Sequence, residues 1–314
     1  MADEQNKENT TNESTKKSST WARGALIDVI RGALIGAAGI IPGFSGGSVA
    51  VIIGIYEKLV SAITGIFKSF KRSVLSLLPI LIGMGIGAVA LLFPIEASLA
   101  AFPLPTVSLF VGLAIGGLPN LTDKVRGRIS WQNAIAFILP FAVAFVLIFL
   151  PVSSEVNLAG LNFGGYVLLF LIGILASSAM VIPGISGSMI LLIIGYYNPI
   201  ISLITNKVLK GVEVWQSLGV LLTFGLGIAV GFVGISVIMK VLLERYNRGT
   251  YFAILGFIIG SIPAIYSSVV KDAGLDVWAE LSSPLNVIAC IALLALGIAL
   301  SYLMVRFGKS KAEG

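Results

Sequence analysis

The sequence predicts an all-α, polytopic membrane protein with two inverted-topology repeats, each a Pro-Gly re-entrant helical hairpin followed by three transmembrane helices. The composition, the length of the apolar segments and an internal repeat support this prediction. Hydrophobic residues form 57% of the 314-residue chain and charged residues only 11%, whereas soluble domains are about 25% charged. The apolar blocks are about 20 residues long, enough to cross about 30 Å of hydrocarbon as helices. Examples are 74–93, 131–150 and 285–305.

The chain begins with a strongly polar segment, residues 1–22, and ends with a short segment, residues 308–314, that is also polar. The first segment contains too few apolar side chains to offset the entropy lost on ordering. We therefore expect a disordered tail. We also expect this tail to be retained, because no small-residue cleavage site follows a short apolar core.

Two residue types that commonly carry chemistry are scarce. The chain has no histidine and one cysteine, Cys290, which lies within an apolar segment. This composition argues against a disulfide framework and against an ordinary zinc site. Cys290 is expected to pack as a small apolar side chain. We expect no metal and no cofactor.

An internal repeat relates the two halves of the chain. The motif Ile-Pro-Gly-Phe-Ser-Gly at 41–46 recurs as Ile-Pro-Gly-Ile-Ser-Gly at 182–187, which is 141 residues later. Identities at the same spacing continue beyond the motif, namely Gly54, Tyr56, Ser61, Ile63 and Thr64 with Gly195, Tyr197, Ser202, Ile204 and Thr205. We interpret residues 23–150 and 164–307 as two versions of one unit, joined by an extracytoplasmic linker at 151–163. Each unit has five segments, so this odd number inverts the second unit in the membrane.

Lysine and arginine predict the orientation, because short basic loops stay in the cytoplasm. Basic residues cluster in alternate loops, near 68–72, 124–128, 240–248 and 306–311. Both termini are therefore expected on the cytoplasmic side of the membrane. Lys207 and Lys210 fall on the opposite side and violate this pattern. Basic loops beside anionic lipid also explain the pI near 9.4, so no nucleic-acid partner is expected.

Each Pro-Gly motif interrupts an uncharged stretch. The first stretch, between Arg31 and Glu57, leaves arms of about 11 to 13 residues, or roughly 17 to 20 Å of helix, which is half a membrane. We therefore expect the tip at 42–48 to re-enter from the cytoplasm and the tip at 183–188 to re-enter from the other side. Non-helical backbone at this depth must be buried in protein or line a cavity.

The residues of both tips are suited to bind an anion. Glycine allows close backbone approach, a helix N-terminus offers free N–H groups, and serine adds a hydroxyl donor. Two facing tips would surround a phosphate group, although turns and small residues that only permit close helix packing give the same pattern. The predicted substrate-binding residues are Gly43, Ser45, Gly46, Gly47, Ser48, Gly184, Ser186, Gly187 and Ser188. The pairs Gly112 with Gly116 and Gly256 with Gly260 are assigned to helix packing.

Charged residues beside the apolar arms are the second indication of a site, since ionisable groups are costly in a membrane. Asp28 and Arg31 share one helical face, and Glu57 and Lys58 lie on the opposing arm. The equivalents in the second repeat carry no charge and are Leu169, Ile172, Asn198 and Pro199. Arg31 is predicted to bind phosphate at the cytoplasmic mouth, and Glu57 or Asp28 to carry a coupling proton or other ion. The alternative is that all four charges form ion pairs that anchor the hairpin.

The paired motifs Ile-Pro-Gly-Phe-Ser-Gly-Gly-Ser and Ile-Pro-Gly-Ile-Ser-Gly-Ser resemble those of the bacterial polyprenyl-phosphate transporter family. The resemblance covers about residues 23–307. It implies translocation of undecaprenyl phosphate, the lipid carrier of cell-envelope precursors, from the outer leaflet to the cytoplasmic leaflet for recycling. The implied partners are polyprenyl phosphate and membrane lipids, and the implied location is the bacterial inner membrane. A coupling proton or other ion is expected only from the charged residues described above. The resemblance supplies no residue-level mechanism, so the predicted site residues rest on their own chemistry.

Two other classes of function fit parts of the sequence. Membrane undecaprenyl-pyrophosphate phosphatases also have inverted repeats and a Pro-Gly-x-Ser-Arg-Ser motif. Here the arginine position is Gly46 or Gly187, and the glutamate pair of such enzymes is absent from the apolar segments. We therefore expect no enzyme activity. A carrier for a small inorganic anion would use the same hairpin tips, but no charge-lined pore is visible in the sequence.

Overall fold

The computed structural model of the protein describes residues 24–39, 45–151, 153–203, 214–272, 274 and 276–310. All regular elements in these residues are helices, as the sequence predicts. Seven of the described helices are long and apolar enough to cross a membrane. These candidate spans are Phe70–Ala101, Pro103–Val125, Trp131–Phe149, Phe163–Val181, Ser217–Arg245, Asn247–Ser267 and Pro284–Leu303. They include the three apolar blocks noted above, so the all-helical, multi-pass architecture is confirmed.

The order of the described helices is similar in the two halves of the chain. The first half contains α1 (24–39), α2 (Gly46–Ile52), α3 (Tyr56–Thr64), α4 (Phe70–Ala101), α5 (Pro103–Thr122) and α6 (Trp131–Val146). The second half contains α7 (Phe163–Val181), α8 (Gly187–Ile193), α9 (Tyr197–Ser202), α10 (Val214–Arg245), α11 (Asn247–Asp272), α12 (Val277–Ser282) and α13 (Pro284–Ser310). In both halves two short helices precede a helix of 32 residues. The short helix α12 lies between α11 and α13, where the described part of the first half has only a 3₁₀ turn, Asp123–Val125, between α5 and α6.

Several sequence predictions concern residues that the structure does not describe, the C-terminal tail or the orientation of the repeats. Residues 1–22 and the exceptional pair Lys207 and Lys210 lie outside the described residues. The predicted C-terminal tail, 308–314, begins inside a helix, because α13 continues to Ser310. The opposite orientation of the two repeats stays a prediction.

The second arm of the first hairpin is interrupted. We expected an arm of about 11 to 13 residues, but α2 has seven residues and then turns by 115° into α3. The turn contains Gly54, whose φ of +75° favours glycine. In the second half Gly195 has a φ of +79° at the matching position between α8 and α9. The repeat match between these two glycines therefore marks a second break in each hairpin.

Glycines bring the long helices into direct backbone contact. A Cβ atom on Gly32 of α1 would lie 2.1 Å from the Ile80 carbonyl oxygen of α4, and one on Gly36 would lie 2.0 Å from the Met84 oxygen. Small residues allow helix backbones in a membrane to approach this closely. Gly173 of α7 approaches α10 in the same way, with 2.5 Å to the oxygen of Phe224. Each hairpin's first arm therefore packs tightly against the 32-residue helix of its own half.

The glycine pairs that the sequence assigned to packing join the two halves of the chain. A Cβ on Gly112 would lie 2.2 Å from the Leu294 oxygen, so α5 packs against α13. A Cβ on Gly256 would lie 2.2 Å from the Phe137 oxygen, so α11 packs against α6. The packing assignment is confirmed. Because each of these pairs contains one helix from each half, the two halves of the chain are interlocked.

Candidate functional site

A polar cavity of about 260 Å³ lies at the break between α2 and α3. Its volume is many times the space that one water molecule needs. Residues of the break form one wall, and the ends of α5 and α13 and the start of α11 form the others. The polar and charged side chains that line it are Arg31, Tyr56, Glu57, Asn120, Lys124 and Tyr251. We call this space the central cavity.

Glu57 connects three elements at the central cavity. It lies in the first turn of α3, where the positive end of the helix dipole favours a carboxylate. The Tyr251 hydroxyl of α11 donates a short hydrogen bond to its Oε1. The Lys124 Nζ, just beyond α5, lies 3.4 Å from the same oxygen and 5.4 Å from the centre of the Tyr251 ring. Both Glu57 and Lys124 are about half exposed, so their pairing is readily exchanged for another partner.

Arg31 brings a second cation to the central cavity. Its Nη1 lies 3.8 Å from Asp28 Oδ1, one helical turn earlier on α1. The other oxygen of Asp28 accepts a hydrogen bond from Lys58. Asp28 is buried, with 7% exposure, so its charge is stabilised by these two cations. The Asp28–Lys58 pair is part of the predicted ion-pair anchor, whereas Arg31 also lines the cavity.

The cavity therefore contains two cations and one carboxylate among the side chains that line it. Arg31 and Lys124 supply the positive charges, and Glu57 supplies the negative charge. Phenolic and amide groups of Tyr251 and Asn120 add neutral hydrogen-bond donors. This set of groups can bind an anion that displaces Glu57 from Lys124, because charge-assisted hydrogen bonds to oxyanions are strong.

Two hydrogen bonds hold the wall of the cavity in place. The Asn120 amide donates to the Ile52 carbonyl at 3.2 Å and so satisfies an oxygen at the end of α2. The buried Tyr56 hydroxyl donates to the Val181 carbonyl at 3.0 Å. Val181 is the last residue of α7, directly before the second hairpin tip. The first hairpin is therefore linked to both α5 and the second tip.

The predicted residues of the first tip are buried next to the end of α7. Gly43 lies outside the described residues. Ser45 precedes α2 and is 4% exposed, and its hydroxyl has no hydrogen-bond partner among the described residues. A Cβ on Gly47 would lie 3.1 Å from the Met180 oxygen, which leaves little space between the tip and α7. Ser48 is buried in α2 and Gly46, at its start, is partly buried.

The second tip lies against α11. Gly184 has a φ of +90° and approaches the Phe257 backbone, where a Cβ would lie at 2.5 Å. The Ser186 and Ser188 hydroxyls are 2.8 Å apart and bond to each other. A small crevice of about 10 Å³, space for one water at most, is lined by Gly184 and Ser186 but by none of the first-tip residues that the structure describes, 45–48. Gly187 packs against Ala176 and Met180 of α7.

The structure does not bring all of the predicted site residues together. Arg31 and Glu57 share the central cavity, while none of the described residues of the two tips, 45–48 and 183–188, contributes to its lining. The phosphate cradle between the two tips stays a prediction. Sequence reasoning did not predict the other four polar or charged residues of the central cavity, which are Tyr56, Asn120, Lys124 and Tyr251. Lys124 belongs to a basic loop, which explains its presence without a binding site. No pattern in the sequence distinguishes Tyr251.

Metal binding has no structural support in the described part of the chain. No group of three or more His, Cys, Asp or Glu side chains is close enough there to hold a metal ion. The charged side chains that line the central cavity are two cations, Arg31 and Lys124, and one carboxylate, Glu57. The site is therefore suited to an anion.

Comparison with known proteins identifies the family. The model of the family described as undecaprenyl phosphate translocase-like matches residues 35–276. The protein named polyprenyl-phosphate transporter of Staphylococcus aureus (strain NCTC 8325 / PS 47) is 31% identical over 247 residues, which cover 76% of this chain and 86% of that protein. The protein of the same name from Vibrio cholerae serotype O1 (strain ATCC 39315 / El Tor Inaba N16961) is 31% identical over 261 residues, 77% of each chain. No solved structure matches. The chain therefore belongs to the undecaprenyl phosphate translocase-like family and is a multi-pass membrane transporter, not an enzyme.

Proposed function

We propose that this protein transports undecaprenyl phosphate from the outer leaflet to the cytoplasmic leaflet, so that the lipid carrier is recycled. The observation that carries the proposal is the central cavity, where Arg31 and Lys124 lie beside polar groups at one end of an otherwise apolar bundle. The family and the names of its two relatives support the substrate class. A phosphate group cannot cross dry hydrocarbon at low cost, so a transporter must supply such a polar site.

The orientation is part of the proposal. Lys124, Arg126 and Arg128 follow α5, and Lys240 and Arg245 lie at the end of α10. Short basic loops stay cytoplasmic, so we place this end of the bundle, with the central cavity, at the cytoplasmic side. We also place both termini in the cytoplasm, with the two repeats inverted and with α1 and the bent α2–α3 pair forming a re-entrant hairpin.

In this arrangement the phosphate passes two groups of donors. Arg31 and Lys124 bind it in the central cavity on the cytoplasmic side. The serines and backbone N–H groups of the two hairpin tips bind it deeper in the membrane, after the tips have separated. The lipid tail stays in hydrocarbon throughout. The tight contact of Gly47 with α7 then belongs to a conformation in which this deeper site is closed.

The function is tested by leaflet-resolved transport of undecaprenyl phosphate in proteoliposomes that contain the purified protein. Transport of the lipid, without transport of inorganic phosphate and without pyrophosphate hydrolysis, is the expected result. Transport of inorganic phosphate alone would favour a small-anion carrier. Hydrolysis of undecaprenyl pyrophosphate without lipid transport would contradict the proposal.

Ion coupling through Glu57 gives a first specific prediction. The Glu57→Gln variant keeps an acceptor for Tyr251 but loses the charge that pairs with Lys124. If Glu57 carries the coupling proton, the variant transports at a rate that no longer responds to a pH gradient. The measurement is lipid transport with and without an imposed gradient. Glu244→Gln, at an exposed ion pair with Lys240 on α10, is the control, and an unchanged gradient response in Glu57→Gln would exclude this role.

The hairpin tips give a second prediction. Ser45→Ala and Ser186→Ala are each expected to slow transport about tenfold, because one hydrogen bond to a charged phosphate is worth about 1.5–3 kcal/mol. Ser217→Ala is a matched control, since its hydroxyl is also buried and lacks a partner among the described residues but lies in α10. Equal transport by all three variants and the wild type would leave the tips with a packing role only.

A further inference from the structure

A second cavity, of about 590 Å³, lies between α1, α3 and the start of α4. It is more open than the central cavity, and exposed apolar side chains of α4 lie beside it. Its main lining side chains are Asp28, Lys58, Lys71, Arg72, Leu75 and Pro79. We call this cavity the basic groove.

The charge of the basic groove matches a phosphate monoester. Three cations, Lys58, Lys71 and Arg72, surround one carboxylate, Asp28, which leaves an excess of two positive charges. Lys58 is bonded to Asp28, whereas Lys71 and Arg72 have no ion-pair partner among the described residues. A phosphate monoester carries about −1.5 to −2 charges at neutral pH. A phosphodiester headgroup carries about half of that charge.

An apolar stripe on α4 continues from the basic groove along the membrane span. Leu75, Pro79, Ile82 and Ile86 are three or four residues apart, so they share one helix face. Leu75, Ile82 and Ile86 are each about half exposed, at 47%, 49% and 53%. The stripe begins at the groove, where Leu75 and Pro79 form part of the lining. A lipid whose headgroup lies in the groove can therefore place its tail along this stripe.

We propose that the basic groove binds the phosphate monoester headgroup of a lipid in the cytoplasmic leaflet, with the lipid tail along the stripe of α4. The role of this site as the docking position of the transported lipid rests on the function and orientation proposed above. Asp28 links the groove to the central cavity, because it bonds Lys58 on the groove side and approaches Arg31 on the cavity side. A phosphate bound in the groove replaces Asp28 as the partner of Lys58.

The alternative explanation is that Lys71 and Arg72 only attract anionic lipid, as any basic residue near a membrane surface does. The chain offers a matched comparison for this effect. Lys240 and Arg245 lie at the end of α10 in another basic segment, and neither lines the groove. The variants Lys71→Gln/Arg72→Gln and Lys240→Gln/Arg245→Gln each remove two cations.

The test measures lipid binding to the full-length protein in phosphatidylcholine nanodiscs by native mass spectrometry. The probes are undecaprenyl phosphate and phosphatidic acid as monoesters, and phosphatidylglycerol as a diester. The wild type is expected to bind both monoesters more tightly than the diester, and excess inorganic phosphate is expected to compete only weakly. Lys71→Gln/Arg72→Gln is expected to bind the monoesters at least about tenfold more weakly, and Lys240→Gln/Arg245→Gln to bind them as the wild type does.

Two results would overturn the groove site. If both double variants lose the same affinity for the monoesters, the binding is general attraction of anionic lipid to basic residues. If the wild type binds phosphatidylglycerol as tightly as the monoesters, the groove is not a monoester site. Leaflet-resolved transport by the same preparations separates this proposal from the proposed function. A wild type that binds monoesters in the groove but transports no lipid would contradict the transport direction and substrate while leaving the binding site intact.

Discussion

Replacing Arg31 with alanine is expected to lower undecaprenyl phosphate transport about 100-fold or more. Arg31 lines the central cavity and carries the planar guanidinium that binds two phosphate oxygens at once. Each hydrogen bond to a charged group contributes about 1.5–3 kcal/mol, and 1.4 kcal/mol corresponds to a factor of ten. The measurement is the initial rate of leaflet-resolved transport in proteoliposomes.

The fold is expected to survive this change. Asp28 keeps its bond to Lys58, and Arg31 is only partly buried, so its removal leaves no unpaired buried carboxylate. Retention volume on size exclusion and the thermal unfolding midpoint should therefore match those of the wild type. A protein that unfolds or aggregates instead would indicate that Arg31 is part of the ion-pair anchor.

Two further variants sharpen the interpretation of Arg31. Arg31→Lys keeps the charge but loses the forked geometry, so an intermediate rate is expected. Arg126→Ala removes an exposed arginine whose partner, Asp123, lies three residues earlier, and it should transport like the wild type. If Arg31→Ala transports undecaprenyl phosphate at the wild-type rate, Arg31 is not the principal phosphate ligand of the central cavity, and the proposed site is contradicted.

The helical architecture could be predicted from the sequence because it depends on local properties. Apolar blocks of membrane length, the repeat and the basic loops are visible residue by residue. The break between α2 and α3 was not predicted, since the length of an uncharged stretch does not show where its helix turns. Gly54 and Gly195 are the signal in the sequence, because both match in the repeat and both have a positive φ.

The candidate site was predictable only in part. Arg31 and Glu57 attract attention because charge beside an apolar arm is costly. Tyr251 and Lys124 reach Glu57 across 194 and 67 residues of sequence, and only the packing of α5, α11 and α3 brings them together. A basic loop explains Lys124 equally well from the sequence. Long-range pairs of this kind depend on tertiary contacts that no local pattern encodes.

The tight approach of α1 and α4 gives the prediction with the largest expected effect on stability. A Cβ on Gly83 of α4 would lie 2.0 Å from the Val29 oxygen of α1, a distance that forces the two helices apart. Gly83→Ala is therefore expected to destabilise the protein by about 1–3 kcal/mol or more. The measurement is the thermal unfolding midpoint in detergent.

Gly85, two residues further along the same helix, is the matched control for Gly83. A Cβ there meets no atom within 4 Å, and alanine favours a helix over glycine by about 1 kcal/mol, so Gly85→Ala should be neutral or stabilising. Because α1 carries Asp28 and Arg31, its displacement in Gly83→Ala should also lower transport, although no charge has been changed. Equal unfolding midpoints for Gly83→Ala and Gly85→Ala would show that α1 is not held against α4 at this point, and the position of Arg31 in the central cavity would then lack its structural basis.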